Sequence, residues 1–326
     1  MGHSIFIHHF INSLIKKKNL TMSNNIITKY DFSLYKVLKV SHKKVGHLSI
    51  KEQEFLEWFI GFSEGDGSFL INKNLPIFVI NQADLVLLRK IRTTLGFGSV
   101  SVFKQNETTY ARYRVSGQEN ILRLIAIFNG NIQLQKVHQR FSQWVDFYNK
   151  VYLSRVLNSK SSEKNITVKS CRSSQDLTLL TGWLSGFFDA EGGFYAGLSQ
   201  NISYTYGYRL RLKTYVDQKL EYEIMDQIRK LFKVKNITIR NKEQALYQVE
   251  ISSIESLTIA INYFEKYKIL GKKHIVYAIW KKLVNLYLTR QHLKIESQTK
   301  IKKKVMKIQE LNSQFKREKT VLFDQN

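Results

Sequence analysis

Phe59-Ile60-Gly61-Phe62-Ser63-Glu64-Gly65-Asp66-Gly67-Ser68-Phe69 returns later in the same chain as Leu184-Ser185-Gly186-Phe187-Phe188-Asp189-Ala190-Glu191-Gly192-Gly193-Phe194. The two stretches align without a gap, each position 125 residues before its counterpart. Gly61 and Gly65 are four residues apart and share one helix face, as do Gly186 and Ala190. Small residues at that spacing let two helix backbones approach closely. Glycine inside a soluble helix costs about 1 kcal/mol relative to alanine, so paired glycines need a packing reason. The economical reason is that the two motif helices pack on each other. The other reading, two ordinary helix ends capped by Gly67 and Gly192, accounts for one copy but not for its repetition.

Later landmarks pair as well: Gln82 with Gln218, Tyr113 with Tyr247, Lys136 with Lys272, His138 with His274 and Trp144 with Trp280, at offsets of 134 to 136. The second copy therefore carries about ten extra residues just after its motif, around 199–208. A repeat this long is a duplicated domain rather than a solenoid unit. Hydrophobic alternation places strands at 68–71, 77–81, 100–104 and 110–116, and again at 193–198, 208–216, 236–240 and 246–251. Helices lie between and around them, so the fold class is α+β. The expected division is a first domain over 47–150, a polar linker over 151–178, a second domain over 179–290 and a basic extension over 291–326. Residues 1–46 fit neither copy.

Charge narrows the partner. The 326 residues hold 51 Lys and Arg against 26 Asp and Glu, a formal net of +25. Such an excess repels itself unless a polyanion is nearby, which points to nucleic acid. Cys171 is the only cysteine, so an internal disulfide and a thiolate metal cluster are excluded. The apolar stretch 4–11 falls well below the ~18 residues of a membrane span, and no membrane partner is expected.

Asp66 and Glu191 close their helices, where the macrodipole is negative and a carboxylate is disfavoured. If the helices pack, the two carboxylates also approach each other. A divalent cation removes both penalties, and carboxylate oxygens suit a hard ion such as Mg²⁺, which also binds phosphate. Such a cation between a carboxylate pair and a phosphodiester gives metal-assisted hydrolysis. On the strands, Arg209, Arg211 and Lys213 alternate with Leu210 and Leu212, so the cations share one face. Arg112 and Arg114 alternate likewise with Tyr113 and Val115, and Thr238 and Arg240 follow suit. Arginine on such faces favours base-edge and phosphate contacts over a merely solvated surface.

Both motifs resemble the LAGLIDADG signature of homing endonucleases in its two-copy, single-chain form, over roughly residues 51–288. The stretch Ile127-Phe128-Asn129-Gly130-Asn131-Ile132, with Leu134 and Lys136, and its counterpart Leu270-Gly271-Lys272-Lys273-His274, resemble the patterns of organellar group I intron proteins. The resemblance implies two pseudo-symmetric αββαββα domains, a saddle of antiparallel strands lying in the DNA major groove, and motif helices packed at the interface. It implies that Asp66 and Glu191 ligate the metal, joined by the backbone carbonyls of Gly65 and Ala190. Gln82 and Gln218 match a family position that orients solvent near the scissile phosphate. Lys136 and Lys272 match the active-site lysine, with Lys273 a register alternative. An arginine that some relatives place four residues after the glutamine is not matched, because Val86 and Tyr222 stand there. Glu64 and Asp189 fill an earlier acidic position that is structural in the family.

The activity implied is a Mg²⁺-dependent, site-specific cut of double-stranded DNA by a monomer, at a site of about two helical turns, roughly 20 base pairs. A different reading is an RNA maturase that helps its host intron splice, using the basic tail 294–319. A silent DNA-binding regulator is the third reading. Retention of both acids favours the nuclease. The lysine-rich, proline-poor composition and the motif type suggest an organellar reading frame, mitochondrial before chloroplast.

Overall fold

A computed structural model of the chain describes residues 30–40, 49–105, 108–153, 167–204 and 206–323. The first copy runs from α2 (Ile50–Asp66) through β1 (Gly67–Asn72), β2 (Leu75–Gln82), α3 (Leu85–Leu95), β3 (Ser99–Gln105) and β4 (Thr108–Val115) to α4 (Gln118–Phe128) and α5 (Gln135–Tyr148). A short helix, α1 (Ser33–Val40), precedes it. The second copy repeats the order: α6 (Trp183–Glu191), β5 (Gly192–Gln200), β6 (Tyr208–Lys219), α7 (Tyr222–Leu231), β7 (Thr238–Asn241), β8 (Leu246–Ile251), α8 (Ile254–Lys266) and α9 (Lys273–Leu288). A 29-residue helix, α10 (Ile295–Phe323), ends the described chain.

Each copy builds one four-stranded sheet, ordered β1-β2-β4-β3 and β5-β6-β8-β7. Pairing is antiparallel between β3 and β4 and throughout the second sheet. The α+β class and the repeated element order expected from alternation are therefore present. Strand β6 runs three residues past the expected end because its ladder with β8 continues to Lys219↔Leu246. Strand β7 starts at Thr238 rather than 236, and its register shifts between Ile239 and Asn241.

Local sequence sets the helix starts. Ser49 and Glu52 form a capping box before α2: Glu52 N donates to Ser49 Oγ at 3.2 Å, and Ser49 N donates to Glu52 Oε2 at 2.9 Å. Asp84 caps α3 by accepting from Leu87 N at 3.0 Å, and Gly96 ends it with φ of 80°.

The chain divides into two compact units. One holds the described residues up to Leu56, Phe69–Phe78 and Val115–Gln175; the other holds Glu57–Ser68, Val79–Arg114 and the described residues from Asp176 onward. In the first unit, Phe69 is ringed by Phe78, Phe128, Phe141 and Trp144 at 5.2–5.3 Å between centroids. Trp144 Nε1 donates to the carbonyl of Ile77 at 3.0 Å. Residues 30–40, unassigned from sequence, bury Tyr30, Phe32, Tyr35 and Leu38, and α1 packs on α4. Asn131 exchanges two 3.1 Å hydrogen bonds with the backbone of Asp31. The end of the expected linker is held beside them: Gly130 N donates to Cys171 O at 2.8 Å, and Arg172 Nη2 donates to Gln133 O at 2.7 Å. The linker's middle, 154–166, lies outside the described residues.

In the second unit, Phe194, the repeat partner of Phe69, meets Phe264, Tyr277 and Trp280 at 5.2–5.5 Å. Helix α10 buries Ile301, Val305 and Ile308 and lies along the edge strand β5. Asn312 Nδ2 donates to Phe194 O at 2.9 Å, so the helix serves carbonyls that an edge strand leaves without a ladder partner. The basic tail is a docked helix rather than a solvated end.

Candidate active site and nucleic-acid interface

The C-terminal half of α2 and all of α6 belong to the same unit, and they pack through their small residues. A Cβ added at Gly61 would run into the carbonyl of Trp183, and one added at Gly186 into the carbonyl of Trp58. Trp58 and Trp183 are themselves repeat partners, so the contact is reciprocal. Each stacks on the phenylalanine one turn later, Trp58 on Phe62 and Trp183 on Phe187, both at 4.8 Å. Buried carboxylates tie the pair: Glu57 Oε2 accepts from Gly182 N at 2.8 Å, and Glu64 Oε1 accepts from Trp183 Nε1 at 2.7 Å. Gly67 and Gly192 open strands and are not left-handed caps; Gly192 has φ of −87°.

This packing brings the acids to one place. A Cβ on Gly65 would lie 2.5 Å from Ala190 Cβ and 3.1 Å from Glu191 Cγ. Asp66, the residue after Gly65, ends its helix beside the end of α6, and both acids are partly exposed. Asp66 Oδ2 accepts from Gln82 Nε2 at 2.6 Å, so the first copy's glutamine reaches its acid. Gln218 is buried on the core-facing side of β6, and Lys219 N donates to its Oε1 at 3.1 Å. Its neighbour Asp217 faces the other way. The register Gly192↔Val216, extended by one residue, sets Asp217 opposite Glu191. Burial pushes the Asp217 carboxyl up; Arg240 and the Gln248 hydrogen bond pull it back, and Glu191 adds to the rise. Gln248 Nε2 donates to Asp217 Oδ1 at 2.8 Å, and Arg240 lies 3.6 Å away.

The lysines separate. Lys273 Nζ donates to the carbonyls of Gly192 at 2.8 Å, Ala190 at 3.0 Å and Phe188 at 3.4 Å, at the foot of α6. Lys272 points elsewhere: its ammonium pairs with Glu318 of α10 and lies over the Phe315 ring, and burial pulls its pKa down. The loop carrying both is pinned by two carboxylates. Asp189 Oδ2 accepts from Leu270 N and Gly271 N at 2.8 and 2.7 Å, and Asp84 Oδ2 accepts from Lys272 N at 2.7 Å. Burial pushes the Asp189 carboxyl up, and those N–H groups with Lys273 oppose the rise. Lys136 stands at the start of α5, in the other unit.

The donor set suits a hard cation that keeps several waters. Among the described residues no three His, Cys, Asp or Glu side chains cluster as a closed metal cage. Asp66 and Glu191 at the adjoining helix ends, with backbone carbonyl and water oxygens, make an all-oxygen set of the kind hard divalent cations take. The Ala190 carbonyl, expected to join that shell, accepts from Lys273.

The charged strand faces are where alternation predicted them. Arg209 and Arg211 are exposed on β6, with Lys213 half-buried and paired to Glu250 at 2.5 Å. Together with Arg240 they line a concavity of about 560 Å³ that also holds Tyr195, Tyr215 and Gln248. On β4, Arg112 and Arg114 are exposed; Arg112 Nε donates to Asn81 Oδ1 at 2.8 Å and stacks over Phe103 at 5.0 Å. Sequence reading missed Tyr215 and Asp217, although both continue the same alternation two and four residues beyond Lys213.

Residues 59–148 and 184–284 match the family described as LAGLIDADG endonuclease, and the chain belongs to that family. It is 34% identical over 246 residues to a probable intron-encoded endonuclease of Neurospora crassa, a match spanning 74% of this chain and 42% of that protein. An uncharacterised cox1 intron-2 protein of Schizosaccharomyces pombe is 27% identical over 90% of this chain and 82% of its own length. The intron-encoded RNA maturase bI4 of Saccharomyces cerevisiae is 29% identical over 62% of this chain and 25% of its own length. The fold is that of solved LAGLIDADG endonucleases. I-SmaMI, bound to cleaved DNA, gives a TM-score of 0.60 at 19% identity, over 77% of this chain and 95% of that one. I-CpaMI, bound to uncleaved DNA, gives 0.61 at 17% identity, over 77% of this chain and 98% of that one.

Proposed function

We propose that this chain is an intron-encoded, site-specific endonuclease that hydrolyses both strands of double-stranded DNA at a long target of its host gene. The observation that carries the reading is the meeting of Gly65 with Ala190 and Glu191, which joins the ends of the two packed helices that carry the repeat-equivalent acids Asp66 and Glu191. The arginine faces of β4 and β6 supply base-edge and phosphate contacts. That proteins of the same fold have been solved bound to DNA supports a DNA-binding reading.

Asp66 and Glu191 would hold Mg²⁺, which supplies positive charge against the developing charge on the phosphate. Gln82, already on Asp66, orients the attacking solvent for one strand; its counterpart Gln218 is buried on the core-facing side of β6, so the groove-facing neighbour of Glu191 for the other strand is Asp217. Lys273, rather than Lys272, carries the cationic role at the foot of α6, because its ammonium lies on the motif's own carbonyls. Lys136 is the first copy's counterpart of this lysine pair by its place in the repeat. Asp189 holds the backbone of Gly271 and Glu64 the indole of Trp183, so both act as positioning residues. The target need not be palindromic, because the two charged faces differ in sequence. The chain acts as a monomer, the two copies replacing the two halves of a symmetric dimer.

The test is incubation with Mg²⁺ and a plasmid carrying the intronless allele of the host gene. A single linear product, lost on chelation, is expected; intact plasmid at saturating protein would refute the reading. The similarity to an RNA maturase supports a second role in splicing of the host intron. A splicing assay with the intron transcript separates the two, since splicing help without cleavage would leave only the maturase. Relatives named for cox1 introns support an organellar gene, mitochondrial rather than plastid. Among the described residues no helix is long and apolar enough to cross a membrane.

A further inference from the structure

The second copy carries a structure with no counterpart in the first. Strands β1 and β2 are joined by Lys73 and Asn74 alone, with φ of 48° and 56°, as a two-residue hairpin demands. Strands β5 and β6 are joined by the longer stretch 201–207, which carries Tyr204 and Tyr206 and leads into Tyr208, the first residue of β6. This longer hairpin meets the end of α9 and the start of α10. Tyr204, Tyr206, Tyr208, Tyr287 and His292 line a concavity of about 110 Å³ there, with Arg209 on its wall.

The hydroxyls of Tyr206 and Tyr208 are spent inside the protein. Tyr206 donates to Leu293 O at 3.1 Å, and Tyr208 bonds Gln298, whose amide is fixed by donating to His292 O at 2.7 Å. Tyr287 and His292 already lie ring against ring, tilted by 31° at 4.6 Å, so the site holds close contacts between flat rings. Tyr204 is 41% exposed. Lys302 of α10 lies 5.2 Å over the Tyr208 ring, and Lys300 and Lys303 beside it are exposed. Flat aromatic faces interleaved with cations bind bases that are not already stacked in a helix, with the cations taking the phosphates. A duplex offers its backbone there but keeps its base faces covered.

We propose that this concavity binds unpaired nucleotides, an activity separate from duplex cleavage and independent of the nuclease reading. The strand is either intron RNA or a single strand of DNA, and the test distinguishes them. Fluorescence anisotropy of the full chain is measured at fixed salt with a labelled 12-mer of oligo(U), one of oligo(dT), and a fully paired duplex. At least one single strand binds, and Tyr204→Ser weakens it by roughly 5- to 100-fold while Tyr204→Phe does not. Lys302→Gln weakens it and lowers the salt slope by about 1. Affinity for the duplex changes less than twofold. Tighter oligo(U) binding assigns the site to RNA, and tighter oligo(dT) binding to DNA. No single-strand binding, unchanged binding by Tyr204→Ser and Lys302→Gln, or an equal loss on the duplex would overturn the proposal.

Discussion

Asp66 and Glu191 end equivalent helices, yet they keep different company. Beside Asp66 the groove-facing position of β2 is Asn81, which accepts from Arg112, and Gln82 donates to the acid itself. Beside Glu191 the same repeat position is Asp217, a further carboxylate held by Gln248 and Arg240. The duplication preserves the parts that a helix–helix contact fixes and lets the strand-borne parts diverge. Backbone approach at Gly61 and Gly186 tolerates no side chain, whereas a groove-facing position only has to suit its own half of a ligand.

The contrast gives four expectations, in falling order of size. Gly61→Ala and Gly186→Ala should each destabilise by ~1–3 kcal/mol or more, because the added methyl meets a backbone carbonyl that cannot rotate away. Denaturant midpoints that fall for only one of them would break the reciprocity of the helix pair. Replacing Arg209 or Arg211 by Ala should cost ~1–3 kcal/mol of target binding and relax preference at particular base pairs. Lys213→Ala, already committed to Glu250, should weaken all sequences slightly; equal effects would show that this face reads no bases.

Lys273→Met should slow cleavage roughly tenfold or more and also lower stability by ~0.3–1 kcal/mol, through its contacts at a helix C-terminus. Lys272→Met should leave stability and rate nearer the parent protein, and the reverse ranking would return the role to Lys272. Asp217→Asn, which makes the second site resemble the first, should narrow any difference between the nicking rates of the two strands by a few-fold. Unequal rates that persist unchanged would place the asymmetry elsewhere.

Much of this was legible in the sequence for physical reasons. A small-xxx-small spacing repeated without a gap specifies a close helix pair, and two-residue alternation specifies which strand residues share a face. The same alternation also contained Tyr215 and Asp217, so those were missed by stopping at the last cation rather than by any lack of signal. The choice between Lys272 and Lys273 was not legible. One residue at a helix start turns the side chain by about 100°, and Lys272 is the N-cap while Lys273 is the first helical residue. Nor could spacing show that Asn131 bonds Asp31 or that Asn312 serves the edge of β5, since those contacts span 100 and 118 residues.

Asp66 and Glu191, at the ends of the paired helices, are proposed to act together. The most direct test measures double-strand cleavage and target binding for the parent chain, Asp66→Asn and Glu191→Gln, with Mg²⁺ present. Loss of the linear product by at least ~10²-fold in both variants, with affinity for the uncut duplex nearly intact, is the predicted result. Cleavage at the parent rate by either variant would contradict it.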